Sequence, residues 1–198
     1  MQVITWNQFL EKGLPLKNKS ASFTVGVFDG VHRGHQALLK KIVSHNVDFV
    51  PVVVTFKENH KIGSGERGAG SGERAAGEIF SFEKRLKMFE KLGIGITIVI
   101  NFDDEFKKMP GENFIEILYK HGNIGYFAAG EDFRCGYQLD TDAEIIKKIF
   151  LSHGVPVEIV PQVMEDSIPV SSSRIRKAIA SGDIQAAEKM LGWKFNSL

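Results

Sequence analysis

The chain alternates short apolar runs with longer segments in which apolar residues recur every three or four positions. Several short runs are apolar throughout, which is typical of parallel strands that are covered on both faces. The predicted strands are 22–28, 49–56, 94–100, 125–129 and 155–160. The predicted helices are 35–44, 81–92, 103–121 and 141–153. This alternation predicts an α/β fold, a doubly wound, Rossmann-like five-stranded parallel sheet with helices on both faces.

Capping and breaking residues refine the helix boundaries. Pro110 should divide the third helix, because proline cannot donate the interior helix hydrogen bond. Thr141 and Glu144 have the spacing of a capping box at the start of the fourth helix. Residues 171–191 predict two more short helices, broken at Gly182. Glycines also follow three helical patterns, where a left-handed residue would end each helix: Gly93, Gly122 and Gly154.

Length and charge narrow the class of protein. The 198 residues predict one domain, 1–198. The 25 Lys and Arg residues nearly balance 24 Asp and Glu, which argues against a protein dedicated to nucleic acid or membrane surfaces. A single cysteine, Cys135, fits a reducing compartment. The N-terminus lacks a signal-peptide pattern, and no apolar run approaches the roughly 20 residues of a membrane span. We therefore expect a cytoplasmic protein with no nucleic-acid or membrane partner.

Residues 63–77 form an unusual segment in which Gly-Ser-Gly-Glu-Arg occurs twice. The glycine spacing of Gly63-x-Gly65-x-x-Gly68 matches that of a dinucleotide-binding fingerprint. That fingerprint requires a strand running directly into the glycines and a helix starting on them, and neither is predicted here. The composition instead predicts a flexible Gly/Ser-rich loop.

The segment 26–36, Gly-Val-Phe-Asp-Gly-Val-His-Arg-Gly-His-Gln, lies where the first predicted strand ends and the first helix begins. Ligands of doubly wound sheets bind beyond the carboxyl ends of strands, and a helix N-terminus favours a phosphate. His32 and His35 bring two donor side chains to that place. A glycine-rich turn with two solvated histidines is the plain alternative, and a zinc pair lacks a third ligand cluster.

Two later segments have similar character. Residues 170–176, Val-Ser-Ser-Ser-Arg-Ile-Arg, place three hydroxyls at a helix start, and Arg174 adds a guanidinium fork that suits phosphate. The plain alternative is a serine N-cap followed by solvated arginines. Residues 130–136, Gly-Glu-Asp-Phe-Arg-Cys-Gly, follow the fourth predicted strand and could equally be an ordinary turn.

Together these segments resemble a known family. His32-x-Gly34-His35 resembles the HxGH signature of the nucleotidyltransferase superfamily, and 26–39 as a whole resembles the adenylyltransferase module of bacterial FAD synthetases. Residues 170–176 resemble that family's ISSTRIR motif, and 130–136 resemble its G-x-[DN]-F-x-F-G loop. The resemblance runs in order from about residue 22 to residue 193.

The resemblance implies an FMN adenylyltransferase that transfers the AMP group of ATP to FMN, giving FAD and pyrophosphate by direct in-line attack of the FMN phosphate. It implies catalytic roles for His32, His35 and Arg174. Mg²⁺ would come with ATP and be held mainly by its phosphates, so no protein ligand for the metal is assigned. The nucleotide-binding residues it implies are Gly26, Val27, Phe28, Asp29, Gly30, Gly34, Gly130, Asp132, Phe133, Ser171, Ser172, Ser173 and Arg176. More weakly, it implies flavin binding at Thr55, Phe56, Asn101 and Asp142.

The chain also departs from the family pattern. Relatives commonly carry Thr-Phe-x-Pro-His-Pro where residues 55–60 here are Thr-Phe-Lys-Glu-Asn-His, which puts flavin affinity or loop rigidity in doubt. Cys135 replaces an aromatic residue, and we interpret it as a packing change rather than a nucleophile. Many relatives continue beyond the segment matching 191–193 into a riboflavin kinase domain. We therefore expect an adenylyltransferase part alone, with FMN supplied by a separate riboflavin kinase or another source.

Two other functions stay open. The first is a related nucleotidyltransferase with another phosphate acceptor, which the altered residues 57–60 could permit. The second is a non-catalytic flavin or nucleotide sensor that keeps the pocket and does not turn over. The sequence contains no G-x-x-x-x-G-K-[ST] motif, which excludes a P-loop kinase mechanism.

Overall fold

Six parallel strands form the central sheet of the computed structural model, which describes residues 1–57 and 77–195. The order across the sheet is β1-β4-β3-β2-β5-β6. The strands are β1 (Gln2–Thr5), β2 (Ser20–Val25), β3 (Phe49–Phe56), β4 (Ile96–Ile100), β5 (Ile124–Gly130) and β6 (Val157–Val160). The predicted parallel Rossmann-like sheet is confirmed, and its predicted count of five strands is wrong by one. The missed strand, β1, has four residues of which only Ile4 is buried, so it leaves little hydrophobic pattern.

Helices cover both faces of the sheet. They are α1 (Trp6–Lys12), α2 (Arg33–Val43), α3 (Phe82–Lys91), α4 (Gly111–Gly122), α5 (Ala143–Ser152), α6 (Ser172–Ala180) and α7 (Ile184–Leu191). The apolar side chains of α1, α4 and α5 pack into one core, and those of α2, α3, α6 and α7 pack into a second core on the opposite face. Packing on both faces explains why the sequence of β3 is apolar throughout. Val52 and Val54 belong to the first core, whereas Val53 between them belongs to the second.

The predicted helix ends are partly confirmed. Pro110 does divide the third helical pattern, into a short 3₁₀ turn at Phe106–Lys108 and α4. The capping box at Thr141 is wrong, because Asp142 is the N-cap of α5 and accepts the backbone N–H groups of Glu144 and Ile145. Its carboxylate can accept both bonds at once, which favours it over the neighbouring hydroxyl.

The glycines behave in two ways at the helix ends. Gly93 and Gly154 adopt positive φ just after α3 and α5, and Gly182 does so between α6 and α7, as predicted. Gly122 does not end α4 as predicted. Asn123 takes the left-handed conformation instead, with φ of 44°, and Gly122 stays inside the helix, close to the ring of Phe23.

The chain reverses its winding direction between β2 and β5. From β2 it proceeds through β3 to β4 on one side, and it then returns to β5 on the other side of β2. Doubly wound sheets bind ligands in the crevice beyond the carboxyl ends of strands at such a point. Here Gly26 follows β2, and Gly130 is the last residue of β5.

Two small antiparallel hairpins lie beyond the sheet. One pairs Arg134–Cys135 with Thr141–Asp142 after β5, and the other pairs Met164–Glu165 with Ile168–Pro169 after β6. Most of the segment 63–77, which we predict to be a Gly/Ser-rich loop, lies outside the described residues. No helix in the described ranges is both long and apolar enough to cross a membrane.

Candidate active site

The loop after β2 has an unusual backbone. Phe28, Gly30 and Val31 all have positive φ, at 55°, 77° and 41°. A β-branched residue rarely adopts this conformation, so neighbouring contacts must hold it. The carbonyl of Val31 accepts hydrogen bonds from the Gln36 side chain at 2.8 Å and from the Trp193 indole at 3.0 Å. The loop is therefore fixed from α2 and from the C-terminal side of the chain.

His32 ends this loop and caps α2. Its Nδ1 accepts the backbone N–H of His35 at 3.4 Å, which leaves the proton of the neutral ring on Nε2. Burial lowers the pKa of His32 to about 4, although the nearby Asp132 carboxylate acts in the opposite direction. Gly34 permits this arrangement, since a Cβ there would lie 3.3 Å from the His32 ring. His32 is thus a neutral hydrogen-bond donor at physiological pH.

His35 lies directly against His32. The two imidazole rings are stacked with their centroids 3.6 Å apart, and the Phe28 ring meets His35 edge to face at 5.2 Å. Phe28 is itself buried against Phe89 of α3. The predicted catalytic histidines therefore occur as one packed pair at the N-terminus of α2, where the helix dipole favours an anion.

Asp29 joins the loop to the segment 170–176. Its Oδ2 accepts a hydrogen bond from Arg176 at 2.7 Å within an ion pair, and its Oδ1 accepts the N–H of Ile79 at 3.0 Å. The hydroxyl of Ser172 donates to the backbone carbonyl of Asp29 at 3.0 Å. Two of the predicted nucleotide-binding residues, Asp29 and Arg176, thus bind each other, and the contact brings the two motifs together.

The remaining residues of 170–176 cap and brace α6. Ser171 is the N-cap and accepts the N–H of Arg174, while Ser173 accepts a hydrogen bond from Arg176. Nη1 of Arg174 donates to the carbonyls of Ile168 and Pro169, each at 2.8 Å. Arg174 therefore holds the 164–169 hairpin in this structure, and its contact with a phosphate stays a prediction.

The end of β5 forms the opposite wall of the crevice. Gly130 is its last residue, and its carbonyl accepts the N–H of Phe133 at 3.0 Å in a tight turn. Asp132 is exposed in that turn and is close enough to His32 to influence the pKa of that histidine. Phe133 is half-buried against the first core. The structure thus brings the 130–136 loop to the same crevice as the histidine pair.

The predicted flavin-binding residues lie along the ends of β3 and β4 and at the start of α5. Thr55 is buried, and its hydroxyl donates to the carbonyl of Val27 at 3.2 Å. Phe56 meets Phe102 edge to face at 5.6 Å.

Asn101 lines a small cavity of about 210 Å³ with Lys57, Phe102 and Asp103. Asp142 uses its carboxylate to cap α5. Residues 58–60, part of the segment 55–60 that differs from the family pattern, lie outside the described residues.

Cys135 packs against the first core, and burial raises the pKa of its thiol to about 12. The thiol is therefore protonated at neutral pH, which supports a packing role.

Arg85 of α3 is a site residue that the sequence does not reveal. It is fully buried, and its guanidinium donates to the carbonyls of Val27, Phe56 and Lys57. In the sequence it lies between Lys84 and Leu86 on an amphipathic helix, where an arginine is normally solvated. No sequence signal could have distinguished it, because its partners come from the ends of two strands.

A larger cavity of about 470 Å³ lies at the other end of the strands, where β5 begins. It is lined by the C-terminal ends of α4 and α5, including His121 and His153. The negative ends of two helix dipoles make it unsuited to a phosphate. The crevice beyond β2 and β5 is therefore the better candidate for nucleotide chemistry.

Comparison with known proteins identifies the family. Residues 14–174 match the FAD synthetase family. The bifunctional riboflavin kinase/FMN adenylyltransferase of Escherichia coli (strain K12) is 28% identical over 184 residues, which cover 87% of this chain and 54% of that relative. The putative bifunctional riboflavin kinase/FMN adenylyltransferase of Geobacillus thermodenitrificans (strain NG80-2) is 30% identical over 174 residues, covering 87% of this chain and 90% of that relative.

A solved structure has the same fold. The crystal structure described as a macrolide-efflux protein from Streptococcus pneumoniae superposes with a TM-score of 0.79 and 26% sequence identity, covering 97% of this chain and 60% of that chain. The chain spans about half the length of the E. coli relative. The family match covers most of the chain and contains the loop after β2, the end of β5 and the start of α6. The chain belongs to the FAD synthetase family.

Proposed function

We propose that this protein transfers the AMP group of ATP to FMN, producing FAD and pyrophosphate. The observation that carries the proposal is the His32–His35 pair at the N-terminus of α2, inside the crevice where β2 and β5 end. The Asp29–Arg176 ion pair joins this loop to the start of α6, so the segments that resemble the family motifs converge on one place.

The reaction requires positioning more than proton transfer. The FMN phosphate is largely ionised near neutral pH, since the second pKa of a phosphate monoester is about 6. One of its oxygens forms a bond to the α-phosphorus of ATP, and the bond from that phosphorus to the bridging oxygen breaks. Pyrophosphate leaves with the electron pair. Orientation and stabilisation of the phosphate charge then supply most of the rate enhancement.

The neutral His32 ring suits that task. Its Nε2–H can donate to a phosphate oxygen, while its Nδ1 stays occupied by the backbone N–H of His35. A protonated ring would add charge, but burial makes that form unfavourable. We propose that His32 and His35 contact the transferring and leaving phosphates, with Ser171–Ser173 and Arg174 on the β- and γ-phosphates.

We propose that Mg²⁺ comes with ATP and is held mainly by its phosphates. Mg²⁺ characteristically keeps several waters and binds substrate phosphates with few protein ligands, and Asp132 at the rim of the crevice is available to such waters. When bound, Mg²⁺ would neutralise charge on the phosphates.

The test is an assay of purified protein with ATP, Mg²⁺ and one acceptor at a time: FMN, phosphopantetheine or nicotinamide mononucleotide. The proposal predicts FAD and pyrophosphate in equal amounts with FMN and much slower pyrophosphate release with the other two. Faster transfer to another acceptor would establish a different nucleotidyltransferase. Tight binding of FMN or ATP without pyrophosphate release would establish a sensor, and either result would overturn the proposal.

A further inference from the structure

Arg85 connects the ends of β2 and β3, which carry the two halves of the proposed site. Its Nη1 donates to the carbonyl of Val27 at 2.7 Å and to the carbonyl of Phe56 at 3.2 Å. Its Nη2 donates to the carbonyl of Lys57 at 3.0 Å and lies 3.6 Å from the Glu78 carboxylate. The side chain has no exposed surface. One buried guanidinium therefore holds the ends of β2 and β3 together.

The contact with Val27 fixes the direction of a peptide that faces the crevice. In a trans peptide the carbonyl and the following N–H point in opposite directions, and the described residues contain no cis peptide bond. Because Arg85 and Thr55 both draw the Val27 carbonyl inward, the N–H of Phe28 points away from them. That N–H has no acceptor within the described part of the chain, which leaves it available to a phosphate.

The contact with Phe56 concerns the flavin side. Phe56 ends β3 and neighbours the small cavity at Lys57 and Asn101. Nη1 therefore links one carbonyl on the nucleotide side to one carbonyl on the flavin side. The spacing between these two strand ends determines how the FMN phosphate would approach the α-phosphorus.

Packing alone does not account for an arginine at this position. Burying a guanidinium carries a large desolvation cost, and a nonpolar residue is often as stabilising. Here Nε also has no hydrogen-bond partner among the described residues, so the charge is not even fully satisfied. What Arg85 provides, and a nonpolar residue cannot, is a set of directed donors to three carbonyls of two strand ends.

We infer that Arg85 is a positioning residue, which sets the geometry between the nucleotide-side loop at Val27 and the flavin-side strand end at Phe56 for in-line transfer. The inference rests on the proposed function. It predicts that losing the directed donors lowers kcat and leaves ligand binding largely intact, because both ligands keep their own contacts while their mutual alignment is lost.

The test compares two substitutions. Arg85→Met keeps a long side chain and removes all its hydrogen-bond donors, whereas Arg85→Lys keeps the positive charge but has fewer donors. Met88→Ala is the matched control, because Met88 is fully buried on the same helix and its side chain has no donor for a carbonyl. We expect kcat to fall about 100-fold in Arg85→Met and about tenfold in Arg85→Lys, with both KM values within about threefold of wild type. Met88→Ala should lower the unfolding temperature and keep kcat.

The result that overturns the inference is a kcat for Arg85→Met within about twofold of wild type, or one equal to that of Met88→Ala, at a temperature where all variants are folded. Hydrogen exchange gives a readout that does not depend on turnover. Arg85→Met should increase exchange selectively at 26–30 and 55–57, whereas a uniform increase like that of Met88→Ala would contradict the inference. If wild type forms no FAD, the proposed function fails and takes the catalytic role of Arg85 with it, whereas the exchange pattern still decides whether Arg85 holds the two strand ends in place.

Discussion

The imidazole rings of His32 and His35 are stacked 3.6 Å apart, and the backbone N–H of His35 donates to Nδ1 of His32. This arrangement determines the tautomer of His32 and disfavours two positive charges in contact. It also means that the two histidines act as a pair. A change in one ring alters the packing and the hydrogen bonding of the other.

Replacing His32 by asparagine should abolish most activity without unfolding the protein. Asparagine is a good N-cap and can still accept the N–H of His35, but it removes the imidazole Nε2–H. We expect kcat for FAD formation to fall about 100- to 1000-fold, as for other charge-stabilising donors. His32→Ala should lose activity similarly and lower helix stability as well.

The matched control is His45→Asn. His45 lies beyond the end of α2, and its ring packs against that of Tyr126 at a tilt of 39°. Its replacement should leave kcat near the wild-type value. Normal FAD formation by folded His32→Asn, checked by circular dichroism, would refute the assignment of His32.

The buried state of His32 also predicts how stability depends on pH. The pKa of His32 is about 4 in the folded protein against an ordinary value of 6.5. Between these values the unfolded chain binds a proton that the folded chain does not, so falling pH favours unfolding. The stability associated with the neutral ring is complete above about pH 6.5 and is lost progressively toward about pH 4.

At about pH 5 this loss should amount to about 2 kcal/mol of unfolding free energy. Urea unfolding of wild type and His32→Asn at about pH 7.5 and about pH 5 measures it, since only wild type carries this histidine. We expect the variant to lose less stability than wild type on acidification. Equal losses would show that His32 titrates normally in the folded state.

Breaking the Asp29–Arg176 ion pair should strongly destabilise the folded protein. The Asp29 carboxylate is 3% exposed and also accepts the N–H of Ile79. Asp29→Asn would leave the partly buried Arg176 guanidinium without its buried carboxylate partner, which costs about 3 kcal/mol. The exposed pair Lys107–Asp104 provides the control, and Asp104→Asn should change stability by less than about 0.5 kcal/mol. Similar effects at both sites would contradict the structure.

Gly111 is predicted to tolerate no side chain. A Cβ there would lie 2.4 Å from Cβ and Oγ1 of Thr141, next to Asp142. Gly111→Ala should therefore displace the 136–142 loop, lower stability by about 1–3 kcal/mol and raise the KM for FMN more than that for ATP. Gly77→Ala, where a Cβ meets no atom of the described residues within 4 Å, should change neither quantity. An unchanged KM for FMN in Gly111→Ala would argue against flavin binding at this loop.

Local sequence patterns are sufficient to predict five of the six strands and to place the candidate site residues of 26–36 at a strand end. The glycines and histidines of 26–36 lie next to one another in the chain, and an apolar strand precedes them, so their place at a strand end follows directly. Strand β1 was missed because four mostly exposed residues carry little pattern. The N-cap of α5 was misplaced by one residue, since Thr141 and Asp142 are both good caps.

Other parts of the site depend on contacts between distant segments. Asp29 binds Arg176 across 147 positions of the chain, and Arg85 binds Val27 across 58. Neither pair leaves a periodic or motif signal. The sequence therefore predicts which residues are candidates for nucleotide binding, and it cannot predict that some of them bind one another.

The most direct test of the account is transfer of a labelled AMP group. Purified protein is incubated with FMN, Mg²⁺ and ATP labelled at the α-phosphorus; the flavin product is separated and its label counted, and pyrophosphate is measured chemically. The account predicts that label enters FAD in a one-to-one ratio with unlabelled pyrophosphate, and that His32→Asn slows both products equally. Pyrophosphate release without labelled FAD, or no release while FMN and ATP are bound, would contradict it.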